Sequence, residues 1–130
     1  MHDDPLILDR DWLLRRIPLK PSHIKIDEGK QTRRVTSGAF CFDDDGCSVY
    51  REGLLNDAGL DWHDICRSPG TAARMQAGNV RALGAGVVPD PQASEATVGF
   101  AHGLITTSAE SRSQQEKLRK GLSGIAQLCW

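Results

Sequence analysis

The chain has 130 residues, of which 39% are hydrophobic and 25% are charged, and its formal net charge is −1. This length and composition predict a single globular domain over residues 1–130 and argue against a disordered chain. The N-terminal sequence MHDDPLILDRDW lacks the basic start and apolar run of a signal peptide. No stretch reaches the ~20 apolar residues that span a bilayer. The sequence therefore predicts a cytoplasmic protein without a membrane segment.

Four cysteines, Cys41, Cys47, Cys66 and Cys129, are expected to be reduced thiols in that compartment. A zinc site needs closer ligand spacing than these residues offer. Together with His63 they supply one His-x-x-Cys pair but no Cys-x-x-Cys pair. We therefore predict neither a metal site nor a cofactor.

The charges are distributed unevenly along the chain. Between residues 10 and 34, eight basic residues stand against three acidic ones, which gives a local charge of +5. Between residues 35 and 66, seven acidic residues stand against one basic residue, which gives −6. Two such segments either attract each other within the domain or present separate patches to different partners.

The segment from residue 35 to residue 51 predicts two strands joined by an acidic turn. Side chains that favour β-structure occur on both sides of the sequence Asp43-Asp44-Asp45-Gly46, whose composition is typical of a turn. With this turn as the loop, Phe40 pairs with Val49, and the hairpin acquires one apolar face. A hairpin alone is marginally stable, so another element must cover that face.

The residues before this hairpin predict shorter elements. Leu13–Ile17 is expected to be an edge strand that ends before the following proline, although the apolar spacing of residues 6–17 also suits a helix. Successive residues of a strand face opposite sides of a sheet, so Arg15 and Arg16 should point to different faces. Residues 22–26 alternate in polarity and are consistent with a brief strand followed by a turn.

The residues after the hairpin predict further helices and strands. A short helix is expected over residues 52–58, ending at Gly59. Ser68 and Pro69 favour the start of another helix, which the apolar spacing extends toward Leu83. Two strands follow, at residues 87–88 and 96–106.

The C-terminal segment gives the clearest helix signal. Ser113 and Glu116 fit a capping box. Leu118, Leu122 and Ile125 recur at helical spacing, a stripe that Cys129 extends. This amphipathic helix is the natural cover for the hairpin. The predicted fold class is therefore α+β: a small, mostly antiparallel sheet built on the central hairpin, with the C-terminal helix packed on one face.

Several motifs resemble those of a group of small uncharacterised bacterial proteins. They are Trp12-Leu-Leu-Arg-Arg-Ile17, Val35-Thr-Ser-Gly-Ala-Phe40, Ser48-Val-Tyr50, and the region from Gly86-Val-Val-Pro-Asp-Pro91 to Ala101-His-Gly103. That group has an Arg-rich opening, an S-S-x-A-F motif and a short L-S-V strand. The resemblance spans most of the chain. It implies a bacterial cytoplasmic protein encoded beside larger partners, and it brings no known activity.

The chain also resembles RES-type and ADP-ribosyltransferase-like domains, which consume NAD. Those domains have an Arg in an early strand, then a strand of small and aromatic residues, a Tyr-bearing strand and an acidic residue. Arg15 or Arg16, Ser37, and Tyr50 with Glu52 occupy those places here. The glutamate strand motif and the Gly-Arg pair before the aromatic are absent. This resemblance implies an NAD-processing enzyme whose catalytic residues are Arg16, Ser37 and Glu52.

Three classes of function follow from these observations. A non-catalytic accessory protein that docks on a larger protein is favoured by the small size, the charged patches and an apolar C-terminus. Its predicted partner-binding residues are Arg15, Arg16, Arg33, Arg34 and Trp130. The first alternative is the NAD-processing enzyme, and the second is a nucleic-acid-binding module. The basic stretch contains a single aromatic residue, Trp12, and a pI of about 6.4 argues against the second alternative.

Overall fold

A computed structural model describes residues 2–129, which form eight strands and three α-helices. The strands are β1 (Trp12–Pro18), β2 (Ile24–Asp27), β3 (Thr32–Val35), β4 (Cys47–Arg51), β5 (Gly70–Gln76), β6 (Gly86–Pro89), β7 (His102–Thr106) and β8 (Gln127–Leu128). The helices are α1 (Glu52–Asp57), α2 (Ala77–Ala82) and α3 (Arg112–Ile125). The predicted α+β class is confirmed. Within residues 2–129, no helix is long and apolar enough to cross a bilayer.

Six strands form one antiparallel sheet in the order β6-β7-β4-β1-β5-β8, while β2 and β3 form a separate hairpin. β1 lies between β4 and β5, so the predicted edge position of Leu13–Ile17 is wrong. The register with β5 runs from Trp12 opposite Gln76 to Pro18 opposite Gly70. Pro18 is the last residue of β1, so its missing N–H falls at the end of the hydrogen-bond ladder rather than within it.

The predicted hairpin at residues 35–51 forms only at its acidic turn, where Asp43 and Gly46 exchange two backbone hydrogen bonds. The first predicted strand is replaced by a short 3-10 helix at Ser37–Ala39, because serine and glycine favour turns. The partners of β4 are instead β1 and β7. Phe40 nevertheless reaches the core and is fully buried.

The helix predicted to start at Ser68-Pro69 is wrong, since Gly70–Gln76 is β5 and α2 begins only after it. Ala72, Ala73 and Met75 are all completely buried, although neighbouring residues of a strand face opposite sides of the sheet. In a strand that is buried on both faces, the apolar residues do not alternate with polar ones. Periodicity does not distinguish such a strand from a buried helix.

The elements predicted on either side of β5 and α2 agree more closely with the structure. The helix expected over residues 52–58 is α1, and Gly59 follows it with a φ of +79°. The strand expected at residues 87–88 is β6. The strand expected at residues 96–106 is confined to β7, since Gly99–Ala101 form a 3-10 helix.

The C-terminal helix is α3, and its predicted amphipathic character is confirmed. Its capping box differs from the predicted one, because Ser111 rather than Ser113 accepts the hydrogen bond from the backbone of Gln114. Leu118 and Leu122 are the buried residues of the helix. They direct its apolar side onto the sheet.

The six-stranded sheet carries a core on each face. We call the first the α3 face, where Phe40 and Leu122 belong to one buried cluster that α3 and the β2–β3 hairpin help to enclose. We call the second the α1 face, where Tyr50 and Leu55 belong to a smaller cluster. Cys129 belongs to this second cluster, so it does not continue the stripe of α3. The domain is thus three layers thick.

Candidate functional site

A group of polar side chains meets on the α1 face. Arg16 of β1, Tyr50 of β4 and His102 of β7 share this face, since Leu14 is opposite Tyr50 and Tyr50 is opposite His102. Glu95 joins them from the loop between β6 and β7. We call Arg16, Tyr50, Glu95 and His102 the polar cluster. Four separate segments of the chain contribute to it.

The carboxylate of Glu95 is the centre of the polar cluster. The Tyr50 hydroxyl donates its one proton to this carboxylate, whose two oxygens lie 2.6 and 2.7 Å from the hydroxyl oxygen. Nη2 of Arg16 lies 3.3 Å from Oε2. The Nε of Arg16 also donates to the backbone carbonyl of Ile65. The Tyr50 and His102 rings meet edge to face, with their centres 5.3 Å apart. Each member is therefore held in place by at least one other.

His102 secures the loop that carries Glu95. Its ring is buried, and its Nδ1 lies 2.8 Å from the backbone carbonyl oxygen of Asp90 and 3.3 Å from Oδ2 of the same residue. The Asp90 amide donates in turn to the carbonyl of His102, and the Gln92 amide donates to that of Gly99, both at 2.9 Å. These bonds close the base of the loop and direct Glu95 toward the sheet.

The protonation states of the polar cluster follow from this geometry. Burial raises the pKa of Tyr50 to about 12, and its hydrogen bond to Glu95 adds to the increase. Burial alone would raise the pKa of Glu95, but the hydrogen bonds from Tyr50 and Arg16 outweigh it and lower that pKa. A general acid or base works best with a pKa near the operating pH. Neither pKa lies near neutral pH. What the contacts show is that the polar cluster joins the loop to the sheet, as a strut does.

The low pKa of Glu95 predicts a pH-dependent contribution to stability. Because this pKa lies below the unfolded value of about 4.3, the contribution is complete above that pH and is lost as the pH falls through the folded pKa. We expect the unfolding free energy of the wild-type chain to fall more steeply below about pH 4.3 than that of Glu95→Gln. Urea titrations at several pH values measure this difference. In the control Glu110→Gln, whose side chain is exposed, the unfolding free energy should fall with pH as it does in the wild type. Equal slopes of unfolding free energy against pH for all three chains would contradict the strut.

The three catalytic residues implied by the NAD-consuming domains are not brought together. Arg16 lies in the polar cluster, whereas Ser37 lies in the 3-10 helix that packs against α3 on the other face. Glu52 lies on α1 and pairs with Arg74, with 2.8 Å between Oε1 and Nη2. The carboxylate beside Arg16 belongs to Glu95 instead.

Arg15 and Arg16 point to opposite faces of the sheet, as predicted. Arg15 donates to the backbone carbonyl oxygens of Ala39 and Ser48, at 3.1 and 2.7 Å. Arg16 is held in the polar cluster. Both guanidinium groups are thus engaged within the domain, and their role in partner binding stays a prediction. Trp130, which was predicted to join them, lies outside the described residues.

Arg33 and Arg34 lie on a surface of a different kind. We call residues 24–35, which comprise β2, β3 and the turn between them, the basic hairpin. Its four basic and two acidic residues give a net charge of +2. Lys25 is directly opposite Arg34, and both are exposed. Like charges in directly opposite positions destabilise a pair of strands, so this arrangement costs the fold stability.

The basic hairpin also exposes apolar surface. Ile24 is buried and anchors the hairpin to the core, while Ile26, on the same side of β2, is 58% exposed. Leu19 is 45% exposed. A groove of about 460 Å³ runs between them, lined by Leu19, Lys20, Pro21, Ile24, Ile26 and Arg33. An apolar centre within a polar rim is the usual anatomy of a protein–protein interface.

All four cysteines are free thiols. Burial raises the pKa of Cys47 to about 11 and that of Cys129 to about 11, so both stay protonated at neutral pH. Protonated, buried thiols are poor nucleophiles and poor metal ligands. Among the residues that the structure describes, no group of three or more His, Cys, Asp or Glu side chains is arranged to hold a metal ion.

Comparisons with protein-family models, with curated proteins and with solved structures found no match to this chain. Both resemblances described above therefore stay expectations. The function is inferred below from the contacts and charges of the chain itself.

Proposed function

We propose that this chain is a non-catalytic accessory protein of the bacterial cytoplasm that docks on a larger, acidic protein through the basic hairpin. The observation that carries the proposal is the exposed apolar pair Leu19 and Ile26 beside the like-charged pair Lys25 and Arg34. Burial of apolar surface is favourable by roughly 25 cal/mol per Å². Acidic groups of a partner would also relieve the repulsion between the two cations.

The basic hairpin replaces Arg15 and Arg16 as the centre of this docking surface. The guanidinium groups of both residues already donate to backbone carbonyls of the domain. Those hydrogen bonds hold both side chains against the domain, and each is only partly exposed to a protein partner. Arg33 and Arg34, the other two arginines of the predicted set, are exposed on β3. A partner can contact this exposed strand without rearranging the six-stranded sheet, because β2 and β3 do not belong to that sheet.

The proposal is tested by capture of proteins from a lysate of the native host. The baits are the wild-type chain, the double variant Arg33→Glu/Arg34→Glu, and the matched control Lys117→Glu/Lys120→Glu, whose lysines are exposed on α3. Mass spectrometry should find an acidic protein that is enriched by the wild type and the control and lost with the hairpin variant. Recovery of the same proteins by all three baits would contradict docking through the basic hairpin.

The same variants distinguish the nucleic-acid alternative. A protein that neutralises several phosphates loses affinity steeply as salt rises. We would favour that alternative if an oligonucleotide bound the wild-type chain with an affinity that falls steeply as salt rises, and did not bind the hairpin variant. We expect no such binding.

NAD processing is a second candidate function, and one observation favours it. Arg16 and Tyr50, which the resemblance pairs in one site, are in contact with a carboxylate, that of Glu95. Glu95 would then take the role expected of Glu52. The test is the consumption of NAD by the purified chain. If the wild type consumes NAD, and Glu95→Gln abolishes this turnover while Glu52→Gln does not, the chain is an enzyme and the non-catalytic proposal is excluded. If the wild type does not consume NAD, the enzyme is excluded.

A further inference from the structure

A second basic surface lies where β1 leaves the sheet. The backbone amide of Leu19 donates a hydrogen bond there to the carbonyl of Pro69, next to the position where Pro18 is opposite Gly70. A cleft of about 330 Å³ opens at this point, lined by Arg16, Pro18, Leu19, Lys20, Arg67, Ser68 and Pro69. Three of these seven residues are cations, and none is acidic.

The three cations differ in how firmly they are held. Arg16 is oriented by the Ile65 carbonyl and by Glu95, and its side chain is 23% exposed. Lys20 and Arg67 are exposed at the mouth of the cleft. One cation is therefore pre-oriented and two are adjustable. Glu95 offsets the charge of Arg16 alone, so positive charge remains at the cleft.

We propose that this cleft binds the phosphoryl group of a small phosphate ester. A phosphate monoester carries about −1.5 to −2 charges and three acceptor oxygens. This charge suits a cleft lined by three cations better than the single charge of a carboxylate does. Arginine is the preferred residue for bidentate phosphate contacts. Pro18, Leu19 and Pro69 offer apolar walls to the esterified group. The cleft is at the small end of the range for ligand sites, about 300–1,000 Å³.

The site is distinct from the docking surface on the basic hairpin. Leu19 and Lys20 border both, but Arg16 and Arg67 line only the cleft. The variant Arg33→Glu/Arg34→Glu should therefore lose partner capture and retain phosphate binding. This difference separates a failure of one proposal from a failure of the other.

The test is isothermal titration with three phosphoryl probes and one carboxylate. The probes are inorganic phosphate, phenyl phosphate, and phosphatidylcholine vesicles that contain phosphatidic acid, and the carboxylate is benzoate. Phenyl phosphate should bind more tightly than inorganic phosphate and than benzoate. Whichever phosphoryl probe binds most tightly identifies the source of the group as free phosphate, a soluble ester or a lipid.

Variants then assign the binding to the cleft. Lys20→Gln/Arg67→Gln should weaken it at least tenfold, with an unchanged melting temperature, because both side chains are exposed. The control Lys117→Gln/Lys120→Gln should bind as the wild type does. Equal affinity of the wild type and the cleft variant, no binding of any phosphoryl probe at millimolar concentration, or equal affinity for benzoate and phenyl phosphate would overturn the proposal.

Discussion

Phe40→Ala should lower the free energy of unfolding by about 3–5 kcal/mol. Phe40 is fully buried on the α3 face, in the same cluster as Leu118 and Leu122 of the C-terminal helix. Truncation would leave a cavity between that helix and the sheet, and a close-packed core relaxes only partly around it. Urea melts of the wild type and the variant measure the loss.

Phe100→Ala is the matched control for this experiment. Phe100 has the same side chain but is 44% exposed. Its truncation should cost less than about 1 kcal/mol, as substitutions away from the core usually do. Equal and small losses at both positions would contradict the placement of Phe40 beneath α3.

Gly46→Ala should be the second large loss. Gly46 has a φ of +134°, and a Cβ built on it would lie 2.5 Å from the carbonyl oxygen of Ile105. That carbonyl has little room to move, because Ile105 is registered against Cys47 in the sheet. We expect a loss of roughly 2–6 kcal/mol, from about 1–3 for the strained backbone and about 1–3 for overpacking.

Gly84→Ala separates the two contributions. Gly84 also has a positive φ, of +89°, but a Cβ there meets nothing within 4 Å. Only the backbone strain applies, and the loss should be about 1–3 kcal/mol. Denaturant melts that give equal losses for the two glycines would contradict the close approach of Ile105 to the acidic turn.

Local signals in the sequence predicted the elements that depend on local chemistry. The acidic turn before Gly46, the end of α1 at Gly59 and the C-terminal helix were all predicted from short-range patterns. The alternation of a strand also predicted that Arg15 and Arg16 would face opposite sides. These features depend on residues close in sequence, so one chain is enough to predict them.

The features that were missed depend on long-range pairing. β1 was placed at the edge because of Pro18, but its partner β5 is more than 50 residues away. β5 itself was predicted as part of a helix, since the burial of both Ala72 and Ala73 is understandable only when both faces of the sheet are known to be covered. Glu95 follows Tyr50 by 45 residues in a loop. Its acidic side chain among small and polar neighbours carried no signal of that contact.

The sequence predicted the basic hairpin only in part. The +5 charge of residues 10–34 indicated a basic surface, and composition alone is sufficient for that conclusion. Composition does not tell which cations are used inside the domain. Hydrogen bonds to Ala39 and Ile65 engage Arg15 and Arg16, and for this reason we placed the proposed docking surface on the exposed hairpin.

The most direct test of the docking proposal is the association rate of the captured partner with the purified chain as salt is varied. Charges at an interface act mainly on association, and they are screened over about 8 Å at physiological salt. The rate for the wild type and for Lys117→Glu/Lys120→Glu should fall as salt rises. At low salt, Arg33→Glu/Arg34→Glu should associate at least about tenfold more slowly, with little dependence on salt. Equal rates and equal salt dependence for all three chains would show that the basic hairpin is not the docking surface.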